Sequence, residues 1–321
     1  MEIERMTAQG QSGGKLVCRT CRDEDGVASS RTVQHRCTNE RTQKTFDAFV
    51  CARCLEAGRE TRVTCRTFVR AEQPDRPRPT MSSIDGNAKR DALLQLARKR
   101  QEATFERYTK RYFNLADFHG GYYETDHVVP WTISACNVDA ELMLICQDWA
   151  SSDFLNKPRN PEQKKSGHDA TLPTNINIKE ILREHFDLSF ADTYATDVFP
   201  FIKEGAMDAK IPPRDLVRSA SEYALPQIEI VRPKMVICLG SDPFNALRYA
   251  LNKGKRIPME RAYMVETPFH TEFAGIPIFG VVHVGGQATA FAGGKAVLRP
   301  RWQALGAYFR SIGTLPAPEV G

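Results

Sequence analysis

From residue 115 onward, short apolar runs alternate with helix-period segments, and this alternation limits the fold more than any other feature of the sequence. The runs are 141–146 (Glu-Leu-Met-Leu-Ile-Cys), 193–198, 234–239 (Lys-Met-Val-Ile-Cys-Leu) and 276–283. Helical patterns occupy 176–186, 214–231, 243–252 and 299–311. Short, nearly continuous apolar runs suit strands buried on both faces, which is the habit of parallel sheets. The expected fold is therefore α/β: a three-layer α/β/α sandwich with a short parallel central sheet. Ligands of such sheets bind beyond the carboxyl ends of the strands. The residues that follow each run become the first candidates for a site.

A chain of 321 residues with 41% hydrophobic and 26% charged residues suits about two ordinary globular domains. Apolar stretches fall short of the roughly 18 residues a membrane helix needs. The opening Met1-Glu2-Ile3-Glu4-Arg5 lacks the basic-then-apolar layout of a signal peptide. A cytoplasmic, membrane-free protein with reduced cysteines is expected, and a monomer is the simplest state. Residues 1–111 hold 23 Lys and Arg against 15 Asp and Glu, whereas the remainder is slightly acidic. A basic front suits an anionic partner, although a merely solvated basic face accounts for charge alone equally well.

Six of the nine cysteines precede residue 66. Cys18-Arg19-Thr20-Cys21 and Cys51-Ala52-Arg53-Cys54 each follow an apolar pair, Leu16-Val17 and Phe49-Val50. Two Cys-x-x-Cys knuckles can supply four thiolates to one tetrahedral Zn²⁺, each tight turn giving two ligands. The 29 residues between the knuckles leave room for a hairpin. A structural Zn²⁺ on Cys18, Cys21, Cys51 and Cys54 is expected, in a zinc-ribbon-like module over 1–70. His35, Cys37 and Cys65 are spare, either as substitute ligands or as small buried residues. Protein purified without chelators should carry about one equivalent of zinc. Less than about half an equivalent by elemental analysis counts against the assignment.

Pro74, Pro77 and Pro79 stand among charges and serines and mark a linker. A basic amphipathic helix is expected over 88–113, so that 71–114 joins the front module to a body at 115–321. That helix either follows a phosphate backbone or docks with a solvated basic face.

Gln147-Asp148-Trp149-Ala150 follows the first run, Asp197 lies in the second, and His283-Val284-Gly285-Gly286-Gln287 closes the fourth. Two carboxylates and a histidine at strand ends can do acid–base and electrostatic work. Taken singly, each also has a structural reading, since an Asp after a strand is often a helix cap.

Residues 115–321 resemble the uracil-DNA glycosylase superfamily. Gln147-Asp148 is similar to the core of that family's Gly-Gln-Asp-Pro-Tyr motif. Residues 173–181 (Pro-Thr-Asn-Ile-Asn-Ile-Lys-Glu-Ile) resemble its Pro-Ser-Leu-x-Asn-Ile-x-Lys-Glu-Leu segment. Ala195-Thr196-Asp197-Val198-Phe199-Pro200 falls where the family carries its base-reading Asn. Val231-Arg232-Pro233-Lys234-Met235-Val236-Ile237-Cys238-Leu239-Gly240 resembles a common strand of the family, and His283-Val284-Gly285 stands in place of His-Pro-Ser. Gly240-Ser241-Asp242-Pro243-Phe244 mimics the first motif but comes too late in the chain; Asp242 is expected to cap a helix starting at Pro243.

The resemblance implies a DNA glycosylase that flips a base and hydrolyses its N-glycosidic bond, leaving an abasic site, with no catalytic cofactor. It implies Asp148 and His283 as catalytic residues, the first facing the sugar cation and the second the departing base. Gln147, Ala150, Phe154 and Asp197 would hold the base. Gly285, Gly286, Gln287 and Phe291 would meet DNA, with Gln287, then Phe291, filling the gap in the helix.

The departures redirect the substrate. Asp197 replaces an Asn that can donate to uracil O4 while accepting from N3–H. An ionised carboxylate only accepts, which suits the N4 amino group of cytosine; a protonated one can also donate to cytosine N3. Ala150 replaces the aromatic wall that faces pyrimidine C5, although Trp149 can refill that space. Together these changes point to a 5-modified cytosine, such as the hydroxymethylated or glucosylated base of some phage DNA. A uracil or mismatch repair glycosylase, and a catalytically silent DNA-binding relative, are the alternatives.

Overall fold

A computed structural model describes residues 33–38, 45–50, 64–67, 86–259 and 270–312. The chain divides into two compact units, Met1–Ser82 and Ser83–Gly321.

In the first unit, β1 (Val33–Thr38) pairs antiparallel with β2 (Thr45–Val50) and with β3 (Thr64–Thr67), giving the order β2-β1-β3. β1 and β2 form a hairpin between the two cysteine knuckles. Cys18, Cys21, Cys51 and Cys54 lie outside the described residues. Cys37 and Cys65 are directly opposite on β1 and β3.

The second unit opens with α1 (Gly86–Gln101), which is shorter than the 88–113 expected. Its buried side is Leu93, Ala97 and Arg100. The Arg100 guanidinium pairs with Glu124 at 2.6 Å and donates to the carbonyls of Thr125 and His127. This basic helix is therefore docked within the second unit. Among the described residues, no helix is long and apolar enough to cross a membrane.

The core is a five-stranded mixed sheet of order β5-β4-β6-β8-β7. Its strands are β4 (Leu142–Asp148), β5 (Tyr194–Phe199), β6 (Met235–Leu239), β7 (His270–Phe273) and β8 (Ile276–Val281). The four runs read from the sequence are the four parallel strands. β7 adds an antiparallel edge strand, so the sheet is not wholly parallel. β5, β6 and β8 are buried along their whole length, each fully covered Val or Ile side chain contributing roughly 1.5–3 kcal/mol.

Between the strands run α2 (Pro173–Ile181), α3 (Pro213–Ser219), α4 (Leu225–Val231) and α5 (Ser241–Ala250). A π-turn at Ala220–Ala224 joins α3 to α4. α5 sits close on β8: a Cβ added at Gly280 would lie 2.6 Å from the Phe244 ring, so glycine is what admits the helix. α6 (Gly286–Phe291) and α7 (Lys295–Ile312) end the described chain. α5 starts at Ser241, earlier than expected. Asp242 is thus inside the first turn and pairs with Arg256 at 3.1 Å instead of capping the helix.

The free edge of β5 is covered. Residue 136 bridges antiparallel to Tyr194, the Ala195 N–H donates to the Ala135 carbonyl at 2.9 Å, and the Thr132 hydroxyl donates to the Ala195 carbonyl at 2.7 Å.

Candidate active site

The parallel register of β4 and β5 sets Cys146 opposite Asp197 and Asp148 opposite Phe199. Side chains alternate along a strand, so Cys146, Asp148 and Asp197 share one face. That face opens into a cavity of about 1300 Å³, whose lining includes Gln147, Asp148, Trp149, Phe154, Asp197, Lys203 and His283. Strand pairing thus brings together two carboxyls 49 positions apart in sequence, and the end of β8 brings the histidine 135 positions after the first.

The two carboxyls have different surroundings. Asp148 accepts from the Gln147 side-chain amide at 2.8 Å on one oxygen and faces the Lys203 ammonium at 2.8 Å on the other. Asp197 is 1% exposed, and its Oδ2 has no hydrogen-bond partner. Burial first, and the nearby Asp148 second, push its carboxyl well above the ordinary range, which favours the neutral form. Cys146, beside it, is likewise pushed up by burial and by Asp197 and Asp148, which keeps its thiol protonated. The floor therefore carries two carboxyls in unlike surroundings, one beside an ammonium and one buried without a cation, a difference that acid–base sites use.

His283 follows β8. Burial lowers its pKa, partly offset by Asp148, so the ring is neutral at pH 7. The Gly285 N–H donates to Nδ1 at 3.1 Å, which assigns the ring proton to Nε2. A Cβ at Gly285 would lie 2.8 Å from that same Nδ1, so a glycine is needed there. The loop is tied to α2, because the Asn177 amide donates to the Val284 carbonyl at 2.6 Å. The result is a neutral imidazole with a donor available at Nε2.

Trp149 and Phe154 are among the aromatic residues that line the cavity, with Trp131 and Tyr249. The Trp149 indole donates to the Gly167 carbonyl at 2.7 Å, and Lys157 lies over the Phe154 ring. Ala150 corrects an expectation. It is fully buried in a second small core with Leu115, Phe118, Tyr123, Leu155 and Ile202, and it is not among the lining residues. The chain turns after Asp148 so that Trp149, not Ala150, borders the cavity, and the room expected from alanine is not opened there.

Exposed Lys110, Lys157, Lys210 and Arg256 stand on the rim, with Asp169, Asp208 and Asp242 among them. Gly286 reaches the cavity at the start of α6. Gln287 is exposed, and Phe291, one turn later on the same helix, is 85% exposed.

Lys203 escaped the sequence reading. Its signal is a lone lysine directly after the apolar stretch Val198-Phe199-Pro200-Phe201-Ile202, which runs out of the end of β5. Among the described residues, no group of three or more His, Cys, Asp or Glu side chains is placed to hold a metal ion.

No family model matches this chain, and no curated protein matches it.

Proposed function

We propose that this protein is a DNA glycosylase that takes a flipped base into the cavity and hydrolyses its N-glycosidic bond, with a 5-modified cytosine of phage DNA as substrate. A role in defence against such phages goes with that substrate, and a three-layer arrangement of helices about the sheet goes with the fold. The observation that carries the reading is the shared face of Asp148, paired with Lys203, and buried Asp197, with His283 lining the same cavity.

The chemistry follows from the charges that develop. Breaking the bond builds positive charge on the sugar and negative charge on the departing base. Ionised Asp148 is suited to the sugar cation and to orienting a water. The His283 Nε2–H is suited to the base anion, since a neutral donor stabilises a developing charge and need not give up its proton. Neutral Asp197 presents one O–H and one C=O. Toward cytosine it donates to N3 and accepts from the N4 amino group, filling both of its capacities. A neutral acid can also turn its two oxygens toward uracil, so its selectivity is less absolute than that of a carboxylate. Cytosine is favoured because its N3 is a more basic acceptor than uracil O4.

Abasic-site formation on matched oligonucleotides tests the reading, with uracil, cytosine, 5-hydroxymethylcytosine or its glucosylated form at one position. Release of the modified cytosines alone is expected. Release of uracil alone makes the protein a repair glycosylase, and DNA binding with no release of any base makes it a silent relative.

Exposed Phe291 at the end of α6 is the apolar group suited to the gap left by the flipped base. Phe291→Ala should slow base release about tenfold or more on duplex DNA and much less on single strands, where no stack has to be opened. Equal loss on both substrates removes Phe291 from that role.

A further inference from the structure

The cavity floor holds a side chain that the proposed chemistry has not used. Lys203 is 3% exposed. Its Nζ stands 2.8 Å from Asp148 Oδ2 and donates to the Met207 carbonyl at 2.5 Å. Its own backbone is pinned, because the Ser152 N–H donates to the Lys203 carbonyl at 2.8 Å. The ammonium is therefore held between the segment that follows Asp148 and the loop that follows β5. We propose that Lys203 is a positioning residue, a buried ammonium that orients the Asp148 carboxylate and supports its charge.

Four groups face this carboxylate from the elements around it: Cys146 on β4, Asp197 on β5, His283 after β8, and Lys203 itself. The thiol and the imidazole are neutral, so Lys203 is the one cation among them. Two carboxyls on one face compete for a proton, and the one beside a cation keeps its charge. Lys203 stands at ion-pair distance from Asp148 Oδ2, and among the described residues Asp197 makes no ion pair; neither carboxyl's Oδ2 has a hydrogen-bond partner of good geometry. The cation thereby supports charge on the carboxyl aimed at the sugar, and leaves the other to read the base.

This inference rests on the glycosylase reading for its activity arm but not for its stability arm. Single-turnover base release from 5-hydroxymethylcytosine duplex would be followed across pH for wild type, Lys203→Met and Lys203→Arg. Lys203→Met should move the acid limb upward by roughly 1–3 pH units and slow release at least about tenfold at neutral pH, with DNA affinity unchanged within about threefold. Lys203→Arg should restore the limb. An unmoved limb in Lys203→Met overturns the proposal. So does a borohydride-trapped covalent complex between wild type and a preformed abasic oligonucleotide, lost in Lys203→Met, because Lys203 would then be a nucleophile rather than an orienting cation.

Lys203→Met leaves a carboxylate buried alone and can impair folding, so thermal unfolding of Lys203→Met, Asp148→Asn and the double variant forms a second arm. The double variant should be more stable than the two single losses predict, since each single change strands a buried charge. Strict additivity overturns the pairing. If wild type releases no base from any oligonucleotide, the glycosylase reading fails, and this thermal cycle alone decides the inference.

Discussion

Asp148→Asn should abolish base release almost completely, by about a thousandfold or more in single turnover, while DNA affinity changes little. Asparagine keeps the shape and the contact with Gln147 but removes the charge that would meet the sugar cation. A group that matters mainly in the transition state shows in the rate and not in substrate binding. On the proposed function, affinity for DNA would rest largely on phosphate contacts, to which exposed cations such as Lys110, Lys157 and Lys210 are suited and this carboxylate is not. The structure adds a second effect. Lys203 loses its partner in a site where both side chains are nearly covered, and breaking a buried pair from one side costs about 3–5 kcal/mol. A lowered melting temperature should therefore accompany the lost rate, and the assay belongs well below that temperature. Full single-turnover activity in this variant would move the chemistry to another residue.

Asp197→Asn should shift base preference from cytosine toward uracil. The amide donates through nitrogen and accepts through oxygen, so it can still meet the N4 amino group, but it can no longer give a proton to N3 with the strength of a carboxylic acid. Discrimination should fall by roughly 1–3 kcal/mol, the usual cost of an imperfectly paired buried polar group. Competition between cytosine-type and uracil oligonucleotides measures it, and an unchanged ratio removes Asp197 from base reading.

Stability gives the same residue an independent check. The carboxyl's pKa is raised in the folded chain above the ordinary 3.8. Between those two values the native state holds a proton that the unfolded chain has released. Stability therefore falls as pH rises through this window, by linkage. Asparagine has no proton to lose. The melting temperature of Asp197→Asn relative to wild type should rise as the pH is raised above 4, and level off once the pH passes the folded-state value. A constant difference would mean that Asp197 is not held neutral.

The parts of this structure that were legible in sequence are those set by local pattern. The parallel strands are continuous runs such as Met235–Leu239, and burial on both faces leaves such runs little freedom to contain polar residues. β7 was missed because His270, Thr271 and Glu272 make a polar edge strand that carries no apolar signal. Asp148, Asp197 and His283 were visible as polar residues at apolar strand ends, and the parallel register brings the two carboxyls to one face. Lys203 was not, because a lysine reads as surface until a tertiary partner covers it. Ala150 was misjudged for a related reason: which way a side chain points after a strand ends is set by the turn, and neither composition nor spacing reports that.

The covered edge of β5 bears on how this site can change over time. Asp197 sits on a strand held by β4 on one side and by the segment around residues 132–136 on the other. To slide or tilt it would break hydrogen bonds on both flanks at once. On the proposed function, a lineage retuning its diet of bases would therefore have little scope for gradual backbone drift at this position. It must exchange the side chain itself, and shifts in preference at this locus should arrive as abrupt single-codon steps.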